Sequence, residues 1–125
     1  MSHISKIELE VNDLGTLAQA CSRLGLKLVQ GQKTFKWYGR EDGKCDHVIK
    51  VPGANYEIGV IKTANAFELQ CDYFDNAIGK AIGEKGGLLK QAYAVERTKA
   101  EARRKGYTVI EQKTDSGVRL HVQIS

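Results

Sequence analysis

The chain has 125 residues, 42% of them hydrophobic and 27% charged, with a formal net charge of +4. That composition suits one domain able to bury a core of its own, and no apolar run approaches the ~20 residues that a membrane-spanning helix needs. Three widely spaced cysteines (Cys21, Cys45 and Cys71) give no disulfide framework, and the first residues lack the basic-then-apolar pattern of a secretory signal; a single cytoplasmic domain over 1–125 is expected, with no membrane contact.

In chain order, Ile7, Leu9 and Val11 alternate with Lys6, Glu8 and Glu10, the period of a strand with one face buried. Asn12-Asp13 offers a cap for a helix carrying Leu14, Leu17, Ala18, Cys21 and Leu24 at helical spacing, and Gly25 stops it. Strand-like runs follow at 26–29, 33–38, 48–51 and 56–60, separated by turn residues such as Pro52-Gly53-Ala54-Asn55. Phe67, Leu69, Cys71 and Tyr73 then alternate with Glu68, Gln70 and Asp72 in a further strand.

After this strand the period changes. Asp75 caps a short helix to Ile82, a glycine turn interrupts it, and a long helix is expected over 88–105, with Leu88, Ala92, Val95 and Ala102 near one stripe and Arg97, Glu101 and Arg104 opposite. A hairpin closes the chain: Tyr107, Val109 and Glu111 lead to the turn Thr114-Asp115-Ser116-Gly117, and Val118, Leu120, Val122 and Ile124 return on one face. The expected architecture is α+β, an antiparallel sheet (meander plus C-terminal hairpin) with helices packed on one face.

The charge is unevenly placed. Residues 76–113 hold nine Lys/Arg against four acids, an excess of five positive charges, whereas the remainder holds ten basic and eleven acidic residues. Inside that segment lies Ile82-Gly83-Glu84-Lys85-Gly86-Gly87-Leu88-Leu89-Lys90. A Gly-x-x-Gly turn at the start of a basic helix can bring bare backbone N–H groups against a phosphate, because glycine has no Cβ and the helix N-terminus favours negative charge. On this reading Gly83, Gly86 and Gly87 admit the backbone of single-stranded DNA or RNA, Lys85 and Lys90 hold phosphates, and Arg97, Arg103 and Arg104 extend the track. The competing reading is a helix stop, a turn and a solvated helix face, with Arg103, Arg104 and Lys105 complementing the helix C-terminal dipole.

Other chemistry has less to stand on. Cys45-Asp46-His47 sets a thiol and an imidazole two residues apart, but the paired-ligand spacing of a structural zinc site does not occur, and His3 and His121 stand alone. Glu8/Glu10 and Glu68/Asp72 read as outward strand faces rather than acid–base pairs. No nucleophile elbow, nucleotide-binding P-loop or Cys/His catalytic signature is present, so no cofactor and no enzymatic activity are expected. In Lys33-Thr34-Phe35-Lys36-Trp37-Tyr38-Gly39-Arg40 basic and aromatic residues interleave; alternation sends Phe35 and Trp37 to the core and leaves Tyr38 to stack on a base.

Two resemblances add to this. The order strand, helix, Gly83-Glu84-Lys85-Gly86, helix, strand, strand resembles the KH domain, with Ile82-Gly83 before the loop and Leu88-Leu89-Lys90 after it similar to its motif; this implies a loop that clamps about four nucleotides. Over nearly the whole chain, Met1-Ser2-His3-Ile4-Ser5-Lys6-Ile7, Tyr56-Glu57-Ile58-Gly59, Phe67-Glu68-Leu69, Tyr93-Ala94, Gly106-Tyr107, Glu111-Gln112 and Arg119-Leu120-His121-Val122-Gln123 resemble the hypothetical chloroplast reading frame 35 family (domain of unknown function 1257), small uncharacterised proteins of cyanobacteria, plastids, bacteria and phages. The second resemblance implies a shared fold and an accessory role beside an ATPase of the AAA class, and brings no catalytic residues. The expectation is a non-enzymatic binding protein for single-stranded nucleic acid; the alternative is an adaptor that docks a protein, such as an ATPase, through an open sheet edge or a helix face.

Overall fold

The computed structural model describes residues 4–124. Residues 1–3, which carry part of the plastid-family resemblance and the lone His3, lie outside the described residues.

Strand β1 (Ser5–Val11) buries Ile7 and Val11 as its alternation requires. Asp13 then caps α1 (Leu14–Arg23), accepting from the Gly15 and Thr16 amides and, at 2.7 Å, from the Thr16 hydroxyl; that last bond leads the set holding its carboxyl below the usual range. Strands β2 (Lys27–Gln30), β5 (His47–Lys50), β6 (Ile58–Lys62) and β7 (Phe67–Cys71) complete an antiparallel sheet in the order β1-β7-β6-β5-β2, in which β5, β6 and β7 form the expected meander.

Between β2 and β5 lies a separate hairpin, β3 (Thr34–Trp37) and β4 (Arg40–Lys44). The sequence Arg-Glu-Asp-Gly-Lys of β4 has no apolar alternation, and no strand was expected there. The chain continues through α2 (Asn76–Ile82), a single 3₁₀ turn (Glu84–Gly86), α3 (Gly87–Arg104), and a second hairpin of β8 (Thr108–Thr114) and β9 (Gly117–Gln123). This last hairpin stands as its own two-stranded sheet rather than extending the main one.

The helices cover one sheet face, where Ile7, Val11, Ile49, Ile58, Val60, Leu69 and Cys71 meet Leu17, Ala20, Cys21, Ile78, Ile82, Leu89 and Tyr93. Along α3 the buried positions are Leu89, Ala92, Tyr93, Val95, Glu96 and Ala102; the expected stripe is corrected at Leu88, which is 45% exposed because the face packed on the core runs through Leu89, Ala92, Tyr93 and Glu96 at helical spacing. On the opposite sheet face Phe35, Cys45 and Val48 form a second cluster with Ile4, Trp37 and Ile61. The Phe35 ring sits directly on the backbone of Gly59 and Gly43; a Cβ at Gly43 would lie 2.6 Å from it, and one at Gly59 closer still. Asp72, expected on an outward strand face, is 2% exposed, because β7 ends at Cys71 and the carboxylate turns to accept from the Phe74 amide at 2.9 Å. Among the described residues, no helix is long and apolar enough to cross a membrane.

Candidate functional site

The glycine turn is built into the domain's own packing. Gly83 (φ 84) ends α2 by donating to Gly79 O at 2.8 Å, and a Cβ there would lie 2.8 Å from the Leu88 amide nitrogen. Gly86 (φ 76) is buried, and a Cβ on it would lie 2.8 Å from Ile7 Cγ2. The backbone that the sequence suggested for close approach to a phosphate therefore approaches β1 and the start of α3. Lys85, itself in a left-handed conformation (φ 54), and Gly87 remain exposed beside the first turn of α3, which has no side-chain cap and no acidic residue. Beneath the turn, Tyr73 Oη is buried without a hydrogen-bond partner of good geometry among the described residues; burial, and then the Cys71 thiol beside it, push its pKa up.

The cations fall into two groups. Lys90 and Arg97, with Lys105, lie along one wall of an open groove of about 890 Å³. Its other wall is the free edge of β1 at Glu8, Leu9 and Glu10; Tyr93, Ala94 and Ala102 contribute to its lining from α3, with Tyr107 and Val122 at the hairpin. The Asn12 amide donates to Tyr93 Oη at 3.1 Å, which ties the end of β1 to α3. Arg103 and Arg104 face instead a shallow cleft with Asp13, Thr16 and Glu96. There Arg104 is paired with Glu101 at 2.6 Å, and Arg103 donates to Lys99 O at 3.4 Å. The eight residues singled out from the sequence thus occupy three places: the turn (Gly83, Lys85, Gly86, Gly87), the groove (Lys90, Arg97) and the α1 side (Arg103, Arg104).

The groove's strand wall is irregular. Ile7 pairs with Leu69 and Val11 with Phe67, so between these pairs β1 has Glu8, Leu9 and Glu10 where β7 has only Glu68. A bulge of this kind takes backbone groups out of the ladder, while the alternation of burial runs on through Glu8, Leu9 and Glu10. Among the described residues, none of Glu8, Glu10, Lys90, Arg97 and Lys105 takes part in an ion pair. Sequence reading missed Glu8, Leu9, Glu10 and Lys105 as site residues: Glu8 and Glu10 read as a solvated strand face, and Lys105 as a helix-dipole charge.

The other candidate groups have structural partners. The Cys45 thiol donates to Gln32 O at 3.2 Å, His47 Nδ1 accepts from the Gly31 amide at 3.1 Å, and Asp46 accepts from the Lys62 amide at 2.7 Å. Burial, and then Asp46, raise the Cys45 pKa to about 11. No group of three or more His, Cys, Asp or Glu placed to hold a metal ion occurs among the described residues. In β3, Phe35 is core and Trp37 is half-buried beneath Arg40, donating to Asp42 at 2.9 Å. Tyr38, at an unusual φ of 37, is exposed and meets the exposed Phe74 edge-on at 5.4 Å.

A family profile described as "protein of unknown function (DUF1257)" matches residues 20–121, so the chain belongs to that family. No curated protein and no solved structure matches the chain.

Proposed function

We propose that this DUF1257 protein is a non-enzymatic adaptor that holds an extended segment of a partner protein against the free edge of β1. The observation that carries the reading is the groove itself: a bulged strand edge faces Lys90, Arg97 and Lys105, free of ion pairs among the described residues, across about 890 Å³ of open space with Leu9, Tyr93, Ala94 and Ala102 in its lining. A free edge offers unpaired N–H and C=O groups, and an added strand gains main-chain hydrogen bonds there. The bulge and the two glutamates guard this edge against indiscriminate pairing, which leaves it selective for a strand of matching chemistry. The plastid-family resemblance makes an AAA-class ATPase a natural source of such a segment.

A second reading, single-stranded nucleic acid binding, is favoured by the exposed cations Lys85, Arg97 and Lys105, which are free of ion pairs among the described residues. It uses α3 as a phosphate track, with Lys90 beside it, and no longer needs the glycine turn to touch phosphate as a KH-type loop would. Glu8 and Glu10 on the facing wall oppose it, because a polyanion in the groove would run beside two carboxylates.

The test is selection of random twelve-residue peptides against the whole protein, with the winners mapped by backbone amide shifts. The adaptor reading expects perturbed amides at Glu8–Glu10 and loss of binding when the peptide backbone is N-methylated. Winners that map elsewhere, or tolerate N-methylation, would refute it. Submicromolar single-strand binding that persists at physiological salt and is lost in Lys85→Glu would install the second reading in its place.

A further inference from the structure

We infer that the segment received at β1 alternates in charge, with acidic side chains toward α3 and basic side chains on the opposite face. The inference rests on the adaptor reading and adds the chemistry of the partner. In β1, Ile7, Leu9 and Val11 point to the helix layer, buried, half-buried and buried in turn, whereas Lys6, Glu8 and Glu10 are exposed on the other side. A strand laid along this edge inherits the same alternation. Its helix-side residues meet the α3 wall, where Lys90, Arg97 and Lys105 have no ion-pair partner among the described residues and Glu101, the carboxylate of that wall, is paired with Arg104. Its other residues stand directly beside Glu8 and Glu10, at the separation where opposite charges on neighbouring strands attract and like charges repel.

The spacings fix the pattern further. Lys90 and Arg97 are seven residues apart on one helix, about 10 Å along its axis at 1.5 Å per residue. Helix-side positions four residues apart on a strand are about 13 Å apart, within the reach of long flexible cations. Between them falls one helix-side position, and Leu9, Tyr93 and Ala94 in the groove's lining ask for an apolar side chain there. Glu8 and Glu10 are two apart on β1, so their partners are two apart as well. The pattern is acid, base, apolar, base, acid.

The probes are two labelled synthetic peptides of equal composition, one centred on Glu-Lys-Val-Lys-Glu and the other on Lys-Glu-Val-Glu-Lys, titrated against the full chain by fluorescence anisotropy at physiological salt. The first should bind at least fivefold more tightly and shift the Glu8–Glu10 amides. In the double variant Lys90→Glu/Arg97→Glu the preference should be lost, with circular dichroism confirming the fold, and it should reverse once Glu8→Lys/Glu10→Lys inverts the other wall as well. Equal binding of both peptides at the β1 amides would overturn the charge pattern and leave the adaptor reading standing. Absence of binding by both, or binding unaffected by backbone N-methylation, would overturn both. Displacement of the peptide by single-stranded DNA at the same salt would reassign the α3 wall to phosphate and overturn the inference.

Discussion

The two hairpins outside the main sheet are held by opposite kinds of force. Hairpin β3–β4 is fastened by an apolar plug: Phe35, 1% exposed, rests on the bare backbone of Gly43 and Gly59 and closes a small cluster with Cys45 and Val48. Hairpin β8–β9 is fastened by charge. Arg23 of α1 reaches Glu111 of β8 through two hydrogen bonds of 2.6 and 2.9 Å and the buried Glu96 of α3 at 3.2 Å, and Lys99 bridges the same two carboxylates at 3.4 and 3.5 Å. Ile110, Val122 and Ile124 meanwhile stay in solvent. An apolar plug is insensitive to pH and salt and intolerant of shape change; a half-exposed ionic clasp is the reverse. The groove adjoins the second hairpin, so the wall that can adjust lies next to the proposed binding edge.

The largest effect should come from removing the plug. Phe35→Ala should cost about 3–5 kcal/mol in urea unfolding; a loss below about 1 kcal/mol would mean that the hairpin is not seated by this ring. Filling the slot is the next step down. Gly59→Ala forces the ring or the strand aside and should cost about 1–3 kcal/mol, visible as a lower midpoint at unchanged slope. Arg23→Ala removes the clasp but leaves Lys99 near Glu96 and Glu111, so about 1–2 kcal/mol is expected. Faster amide exchange should then appear in β8–β9 and not in β3–β4; equal acceleration in both would break the contrast.

Acid should act most weakly and most locally. The hydrogen bond from Arg23, with Lys99 adding to it, holds the Glu111 carboxyl below the usual range. A carboxyl lowered by folding stabilises fully above its unfolded pKa, and that contribution disappears as pH falls through the folded value. Protection of the β8–β9 amides, taken relative to the intrinsic exchange rate at each pH, should therefore fall as pH drops below the usual carboxylate range, and raised salt at neutral pH should mimic part of the effect. Hairpin β3–β4 has acid-sensitive ties as well: within it the Asp42 carboxyl is held low by Arg40 and then Trp37, and a second tie runs to Glu57, just before β6. Glu57 accepts from the Lys36 amide, and its carboxyl, though burial pushes it up, is held low by Lys50 and that amide. Phe35 keeps the hairpin in place when these ties are lost.

Most of the frame was legible in the sequence. The alternation of β1 and β7, the Asp13 and Asp75 caps and the final hairpin all announce themselves through local patterns. Strand β4 did not, because its residues pair with β3 without apolar alternation and its one core-facing position is Gly43, read by the Phe35 ring. The glycine turn was legible as a turn, but its direction was not; whether Gly86 faces solvent or Ile7 depends on a strand 79 residues away. The groove was half legible. Lys90 and Arg97 stood out as charges on a helix, whereas the facing wall is written at the other end of the chain, and the bulge at Glu8–Glu10 is a mismatch of register with β7 that perfect alternation conceals.

The three cysteines turn the molecule into its own clock of opening. Cys21 and Cys71 lie in the helix-side core and Cys45 under β3–β4; all three are buried, and burial raises their pKa values to about 12, 12 and 11. Because the thiolate is the reacting species, a pulse of alkylating reagent at neutral pH marks each sulfur only when its own layer comes apart. Peptide mass mapping of the labelled chain then times the two layers separately, with no tag or engineered probe.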